Sequence, residues 1–280
     1  MKTLKFLFLI LVSFSSRGQL LKQTVGPLSV HFSDETLTTG SHRYRALLIG
    51  VSKYKNEGPT LQSLDNPASD AQQVYDLLTT HYTFEPSDVT LLKDPTRQEI
   101  IDALDKLSNE TEESDNVLVF YAGHGVWDKQ KELGFWLPSD AEVKSRSAWI
   151  ANSQIKDYLS DNSIRSKHTL LITDACFGGS IFKSRSVTAE NVIRINELYK
   201  ETSRKAMTSG NLSAVPDKSI FIQQLMKKLG ENFDDYLPAQ QLYARMYEPI
   251  VNNASTNPVY GIIQGAGDGG GDFIFVRRQK

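Results

Sequence analysis

The sequence is poor in cysteine, in long apolar segments and in net charge. Its 280 residues include one cysteine, and 31 Lys and Arg nearly balance 33 Asp and Glu, for a formal net charge of −2. One cysteine excludes an internal disulfide, and the balanced charge gives no sign of the basic face typical of nucleic-acid-binding proteins. With 40% hydrophobic and 23% charged residues, the composition is that of an ordinary soluble globular protein.

The apolar stretch near the start, residues 6–12, is far shorter than the ~20 residues of a membrane-spanning helix. It follows Lys2 and Lys5 and precedes a small, polar segment at residues 13–18, which is the order of a secretory signal. We therefore expect residues 1–19 to be a signal peptide and the protein to be secreted or periplasmic. The alternative is an uncleaved anchor or a buried first strand. No cysteine follows the stretch, so lipid attachment of the bacterial lipoprotein kind is excluded.

Phosphate-binding and clustered metal-binding motifs are also missing. Gly265, Gly267 and Gly270 match a G-x-G-x-x-G pattern, but F-I-F-V, a predicted strand, follows where a dinucleotide site needs a helix. The glycines therefore predict a loop or a hairpin. There is no Walker lysine, and no metal-ligand spacing stands out.

Two apolar segments carry the residues that indicate chemistry. Residues 170–180 read L-L-I-T-D-A-C-F-G-G-S, and residues 116–125 read N-V-L-V-F-Y-A-G-H-G. Short apolar runs that end at turn residues are typical of buried parallel strands, and open α/β sheets bind their ligands at the carboxyl edge of such strands. Cys176 and His124 are both expected at that edge.

A cysteine beside a histidine can perform nucleophilic catalysis, because the thiolate attacks while the imidazole takes and later returns the proton. Each residue also has a structural interpretation: a lone cysteine is commonly a small buried hydrophobe, and a lone histidine a turn residue with a satisfied hydrogen bond. His124 and Cys176 stand 52 positions apart, both at predicted strand ends with glycine close behind. This arrangement favours the catalytic interpretation.

Together, Y-A-G-H-G and D-A-C-F-G-G-S resemble the motifs of the caspase-like cysteine peptidases (peptidase family C14, clan CD), and the bacterial and metacaspase branches more than animal caspases. The animal signature is Q-A-C-[RQG]-G with its histidine about 50 residues upstream. This chain keeps the A-C core and the spacing but has Asp174 in place of Gln. The resemblance runs from about Tyr44 to Val276 and implies a caspase-like three-layer α/β/α sandwich around a mostly parallel sheet of about six strands.

The hydrophobic periodicity agrees with that fold, because strands and helices alternate along the chain. We expect an N-terminal segment at residues 20–43 and a peptidase domain at 44–280, with an inter-subunit-type linker at 182–205. Strands are predicted at 44–51, 88–92, 117–121, in a short run ending at Pro138, in the run before Asp174, and at 206–208 and 259–263. Helices are predicted from Asn66 and Pro67 to His81, and at 95–107, 150–159 (capped by Asn152 or Ser153), 219–229 and 238–247.

The resemblance assigns roles residue by residue. It implies that Cys176 is the nucleophile and His124 the acid and base, with the backbone N–H groups of Gly125 and Cys176 as the oxyanion hole. It also implies that Asp70 and Asp174 bind a basic side chain in the S1 pocket, as acids do at these places in metacaspases. Two structural alternatives stay open: an Asp70 that serves only the dipole of its helix, and an Asp174 that only orients its loop. No third residue is assigned to orient His124.

These observations predict a cysteine endopeptidase that cuts proteins or peptides after Arg or Lys. The charge of Asp174 would repel a substrate carboxylate and attract a guanidinium or ammonium group. Ala122 stands where some metacaspases have Ser, which bears on the preference between Arg and Lys. Many metacaspases use calcium, but the scattered aspartates identify no ligands for it, and the sequence requires no other cofactor. We expect a protein or peptide substrate and no nucleic-acid partner, and no stable membrane span in the mature chain.

Two other functions stay open at this stage. One is a catalytically idle domain of the same fold that serves as a protein-binding module, and the other is a peptidase that cuts after Asp, with Lys53 and Lys55 lining its pocket. The linker is either a solvated loop with a short helix at 191–199 or a site of self-processing. Its candidate self-cleavage points are Lys183, Arg185, Arg194, Lys200, Arg204 and Lys205.

Overall fold

The computed structural model describes residues 42–175, 181–182, 195–210, 219–254 and 257–279. The strands of these residues are β1 (Tyr44–Gly50), β2 (Val89–Lys93), β3 (Asn116–Ala122), β4 (Gly125–Asp128), β5 (Leu133–Trp136), β6 (Ile150–Ala151), β7 (His168–Asp174), β8 (Ser203–Thr208), β9 (Tyr236–Pro238), β10 (Val259–Ile262) and β11 (Ile274–Val276). The helices are α1 (Pro67–His81), α2 (Arg97–Glu110), α3 (Asn152–Tyr158), α4 (Ile195–Lys200), α5 (Ile220–Gly230) and α6 (Ala239–Val251), and a 3-10 turn spans Pro86–Asp88.

A six-stranded sheet forms the centre of the fold, in the order β10-β8-β7-β3-β1-β2. Every neighbouring pair is parallel except β10 with β8, which is antiparallel. Strands β1, β3 and β7 are buried along their whole length, as expected for a sheet covered on both faces. The predicted sheet of about six mostly parallel strands is thereby confirmed.

Alternation of side chains along the strands produces the two outer layers. In β1, Ala46 and Leu48 pack in one core cluster with α1, α5 and α6. Leu47 and Ile49 point to the opposite face and pack in a second cluster with α2 and α3. The architecture is therefore the predicted three-layer α/β/α sandwich.

Helix starts agree with the sequence patterns in part. Helix α1 begins at Pro67 as predicted, although the Asn66 side chain at its N-cap makes no capping hydrogen bond. Helix α2 begins at residue 97 rather than 95, because a capping box formed by Thr96 and Glu99 fixes its first turn. The helix predicted at 150–159 was wrong at its start: residues 150–151 pair with β5, and Asn152 is the first helical residue rather than the cap.

The described part of the predicted linker contains a helix, which overlaps the short helix expected at 191–199, and the start of a strand. Residues 195–200 form α4, and the strand expected from residue 206 begins at Ser203. Arg204 and Lys205 are only 1% and 6% exposed in β8, so they are wrong as self-cleavage points in this fold, because a peptidase needs accessible backbone. Lys200 ends α4. Lys183, Arg185 and Arg194 lie outside the described residues.

The C-terminal glycine-rich segment leads into a strand and not into a helix. Strand β11 pairs antiparallel with β9, in agreement with the prediction of a loop followed by a strand. The predicted signal peptide and nearly all of the N-terminal segment lie outside the described residues. Within the part that is described, no helix has the length and apolar character to cross a membrane.

Candidate active site

Parallel pairing places the ends of three central strands side by side. Gly50 at the end of β1 lies opposite Ala122 at the end of β3, and Ala122 lies opposite Asp174 at the end of β7. His124 follows Ala122 by two residues, and Cys176 follows Asp174 by two residues. The predicted adjacency of the two motif-bearing strands is therefore correct. Cys176, including its expected share of the oxyanion hole, lies outside the described residues.

The turn that delivers His124 depends on Gly123. Its φ is +152°, a conformation that residues with a side chain rarely adopt. A Cβ atom there would come within 3.1 Å of the Tyr121 hydroxyl and of Val51 Cβ, and within 3.2 Å of the Tyr54 hydroxyl. The Gly123 N–H donates to the Asp174 carbonyl at 3.5 Å, which joins the ends of β3 and β7. Glycine is thus required by both conformation and space.

Two tyrosines hold the main chain of the half-buried His124. The His124 N–H donates to the Tyr54 hydroxyl at 2.8 Å, and the Tyr121 hydroxyl donates to the His124 carbonyl at 2.7 Å. The Leu137 N–H donates to the same carbonyl at 3.1 Å. The Tyr54 ring also lies against the imidazole, with ring centroids 5.0 Å apart. The backbone of His124 is therefore fixed at both its donor and its acceptor.

The imidazole of His124 is oriented by a main-chain carbonyl. Its Nε2 atom lies 2.8 Å from the carbonyl oxygen of Gln62. Because a carbonyl can only accept, Nε2 must carry the hydrogen, and in the neutral ring Nδ1 then carries the basic lone pair. Sequence reasoning missed Gln62 because a backbone carbonyl has no residue-type signal. Tyr54 was also missed, since it stands in a loop far from His124 in the chain.

Gly125 begins β4, the edge strand of a three-stranded sheet with β5 and β6. The bond from Leu137 N–H to the His124 carbonyl marks these two residues as a hydrogen-bonded antiparallel pair. The next pair, Gly125 with Trp136, is then of the non-hydrogen-bonded kind, in which N–H groups point away from the partner strand. The Gly125 N–H therefore points to the side of β4 that has no partner strand among the described residues.

Asp174 ends β7 as a buried carboxylate, 7% exposed. Burial raises the pKa of Asp174 to about 6, and the nearby hydroxyls of Ser209 and Ser219 act in the opposite direction. Among the described residues its Oδ1 atom has no hydrogen-bond partner, and no Lys or Arg lies within ion-pair distance of it. A buried polar atom without a partner typically costs ~1–3 kcal/mol. Asp174 is thus suited to accept a cationic group.

Asp70 lies half-buried in the first turn of α1. The start of this helix packs on the end of β1, since a Cβ on Gly50 would lie 2.2 Å from the Pro67 carbonyl oxygen. Helix α1 covers the sheet face to which Ile172 points, and by alternation Asp174 points to that face too. Asp70 and Asp174 therefore share one edge and one face of the sheet. The role of Asp70 in substrate binding stays a prediction.

No group of three or more His, Cys, Asp or Glu within the described residues is arranged to hold a metal ion. We therefore assign calcium no ligands in this part of the chain. Lys53 and Lys55, the cations of the Asp-cutting alternative, are both exposed in the loop after β1.

Comparison with known proteins adds three findings. A family model described as Caspase domain matches residues 43–260. Metacaspase-1 of Plasmodium falciparum (isolate 3D7) is 27% identical over 166 residues, which are 53% of this chain and only 26% of that protein. The structure of caspase-1 from Spodoptera frugiperda superposes with a TM-score of 0.54 at 14% identity, covering 79% of this chain and 87% of that one. At such low identity, the structural likeness shows the fold alone.

Proposed function

The chain belongs to the caspase-domain family of peptidases, and from this premise we propose that it is a cysteine endopeptidase that uses His124 and Cys176 and cuts after Arg or Lys. The observation that carries the proposal is the orientation of His124. His124 follows the end of β3, next to the strand β7 that leads to Cys176, and its Nε2–H donates to the Gln62 carbonyl. This leaves Nδ1 as the nitrogen for proton transfer.

In the proposed reaction, Nδ1 takes the proton of the Cys176 thiol, and the thiolate attacks the scissile carbonyl carbon. The oxyanion that forms would accept hydrogen bonds from the N–H groups of Gly125 and Cys176. The imidazolium then gives its proton to the leaving amine, and a covalent thioester remains on Cys176. A water molecule, deprotonated by the same Nδ1, attacks this thioester. The C–S bond breaks, the acid product leaves, and the imidazolium returns its proton to the Cys176 sulfur. The bond to Gln62 supports each step because it keeps Nδ1 the transferring atom.

Asp174 supports the proposed preference for basic residues. A guanidinium or ammonium group would give the buried Oδ1 the partner that the described residues do not supply. Charge-assisted hydrogen bonds of this kind are roughly twice as strong as neutral ones. Asp70 is proposed as the second acid of the same pocket, since its helix begins at the same edge of the sheet. We also propose that residues 1–19 direct secretion, so that the active form starts close to residue 20.

The experiment that tests this function compares peptides that differ only at the residue before the cut (Arg, Lys, Asp or Ala), with and without calcium. Cleavage after Arg and Lys that disappears in Cys176→Ala and in His124→Ala is the expected result. Cleavage after Asp alone would contradict the role given to Asp174. No cleavage of any peptide, together with a Cys176 that resists a thiol-directed substrate analogue, would instead support an idle binding module.

A further inference from the structure

Two of the groups that hold His124 come from one loop, residues 51–66, between β1 and α1. We name it the histidine loop. It supplies the Tyr54 hydroxyl to the His124 N–H and the Gln62 carbonyl to Nε2. The orientation of the His124 imidazole therefore depends on the path of this loop.

The histidine loop is closed by bonds near its two ends. The Leu64 N–H donates to the Ser52 carbonyl at 2.8 Å, and the Ser52 hydroxyl accepts the N–H of Ala68 at 2.9 Å. The Tyr54 N–H donates to the Ser63 hydroxyl at 3.3 Å. These bonds tie the loop's end to its beginning. The Lys55 N–H also donates to the Ser139 carbonyl at 2.7 Å, so residues 52–54 position the loop together with this second anchor.

Those first residues are anchored by Asp94, which directly follows β2. One carboxylate oxygen of Asp94, Oδ1, accepts the N–H of Ser52 at 2.6 Å and the N–H of Lys53 at 2.8 Å. The Asp94 N–H donates to the Gly50 carbonyl at 2.8 Å. The φ of Asp94 is +52°, a left-handed conformation that Asp and Asn tolerate better than other residues with side chains.

We infer that Asp94 is a positioning residue for His124, because it fixes the start of the histidine loop and thereby places Tyr54 and Gln62. These hydrogen bonds of Asp94 go to the main chain of residues 50–53, so it acts on His124 through the loop. Bonds from two N–H groups to one ionised oxygen are charge-assisted and hold a loop start more firmly than neutral bonds. The expected effect of Asp94 on kcat rests on the proposed function, whereas its expected effect on the tautomer of the His124 ring does not.

A matched set of variants separates positioning from plain stability. Asp94→Gly keeps the left-handed backbone and removes the acceptor, and Asp94→Asn keeps both the conformation and one acceptor oxygen. Glu132→Gly is the control, because Glu132 also has a φ of +52° but lies in the exposed turn between β4 and β5. Asp94→Ser, which shortens the acceptor, replaces Asp94→Gly if that variant does not fold.

The first readout is the nitrogen NMR spectrum of the His124 ring in protein labelled with ¹⁵N-histidine, on a Cys176→Ala background. Wild type and Asp94→Asn are expected to show one neutral tautomer with its hydrogen on Nε2. Asp94→Gly is expected to show mixed tautomers and faster exchange of that hydrogen, and Glu132→Gly is expected to match wild type. This readout needs no peptidase activity, so it tests the positioning even if the proposed function fails.

The second readout is steady-state hydrolysis of the best peptide substrate. Loss of reactive geometry lowers kcat, by up to roughly 100-fold for a displacement of about 1 Å, with little change in KM. Asp94→Gly is expected to show this loss and Asp94→Asn to recover most of it. A wild-type tautomer and a wild-type kcat in Asp94→Gly would overturn the inference, and so would a kcat loss that follows only the loss of folded protein.

Discussion

The pH dependence of substrate selection tests the role of Asp174 in quantitative terms. Burial raises the pKa of its carboxyl to about 6. If only the ionised form binds a cationic side chain, binding falls as pH drops through this value. The ionised fraction goes from roughly 0.9 at pH 7 to about 0.1 at pH 5, so the preference for Arg should fall about tenfold over this range.

The assay is the ratio of kcat/KM for an Arg peptide to kcat/KM for the matched Ala peptide, measured from pH 5 to pH 8. Any effect of pH on the chemical steps is shared by both peptides and cancels in the ratio. In Asp174→Asn, which keeps the size of the side chain, the ratio should lose its pH dependence and fall by roughly 10- to 100-fold at pH 7. A ratio that is flat with pH in wild type, or one unchanged by Asp174→Asn, would refute this reasoning.

Three further changes have defined outcomes. Tyr54→Phe removes the acceptor of the His124 N–H, so the free energy of unfolding should fall by ~1–3 kcal/mol, as measured by denaturant titration. The kcat of the folded variant should fall as well, and an unchanged kcat would contradict the role of this bond in positioning His124. Gly123→Ala strains a φ of +152° and should lower the free energy of unfolding by ~1–3 kcal/mol, whereas Gly58→Ala, where a Cβ meets nothing within 4 Å, should be nearly neutral in the same denaturant titration. His168 is buried with its pKa lowered from 6.5 to about 3, so the folded state keeps it neutral and stability is lost as pH falls below about 6.5. Between pH 7.5 and pH 5 wild type should lose about 2 kcal/mol relative to His168→Gln, since the other titrating groups are common to both proteins; an equal pH dependence in the two would contradict it.

The sequence was sufficient to predict the central sheet, because the signals that define it are local. Two apolar runs, each ending at turn residues, specified β3 and β7, and their parallel pairing follows from the alternation of strands and helices. Gly123 before His124 marked the tight turn in the same local way. The candidate site was found because its key side chains stand directly at these strand ends.

The orientation of His124 could not be predicted, because it depends on contacts between distant parts of the chain. Gln62 contributes a carbonyl that any residue would provide, and Tyr54 reaches His124 from a loop whose start is bonded to Asp94, at the end of another strand. The loop's path is therefore a tertiary property, and the periodicity of a single segment does not encode it.

The start of β8 was misassigned for a related reason. Arg204 and Lys205 made this segment look like a solvated linker, yet both side chains are buried because distant groups satisfy them. Lys205 pairs with Asp268 at 3.0 Å, and the Arg204 guanidinium donates to the Ser166 carbonyl at 2.8 Å. A buried cation with such partners cannot be told from an exposed one by residue type alone.

The central claim, that His124 activates Cys176, is tested most directly by labelling the thiol with a peptide analogue that carries Arg before a thiol-reactive group. Cys176 is the sole cysteine of the chain, so intact-protein mass spectrometry reports its modification without ambiguity. The account predicts complete labelling of wild type, with a rate at least roughly 100-fold lower in His124→Ala. Equal labelling rates in the two proteins, or a wild-type Cys176 that stays unlabelled, would contradict it.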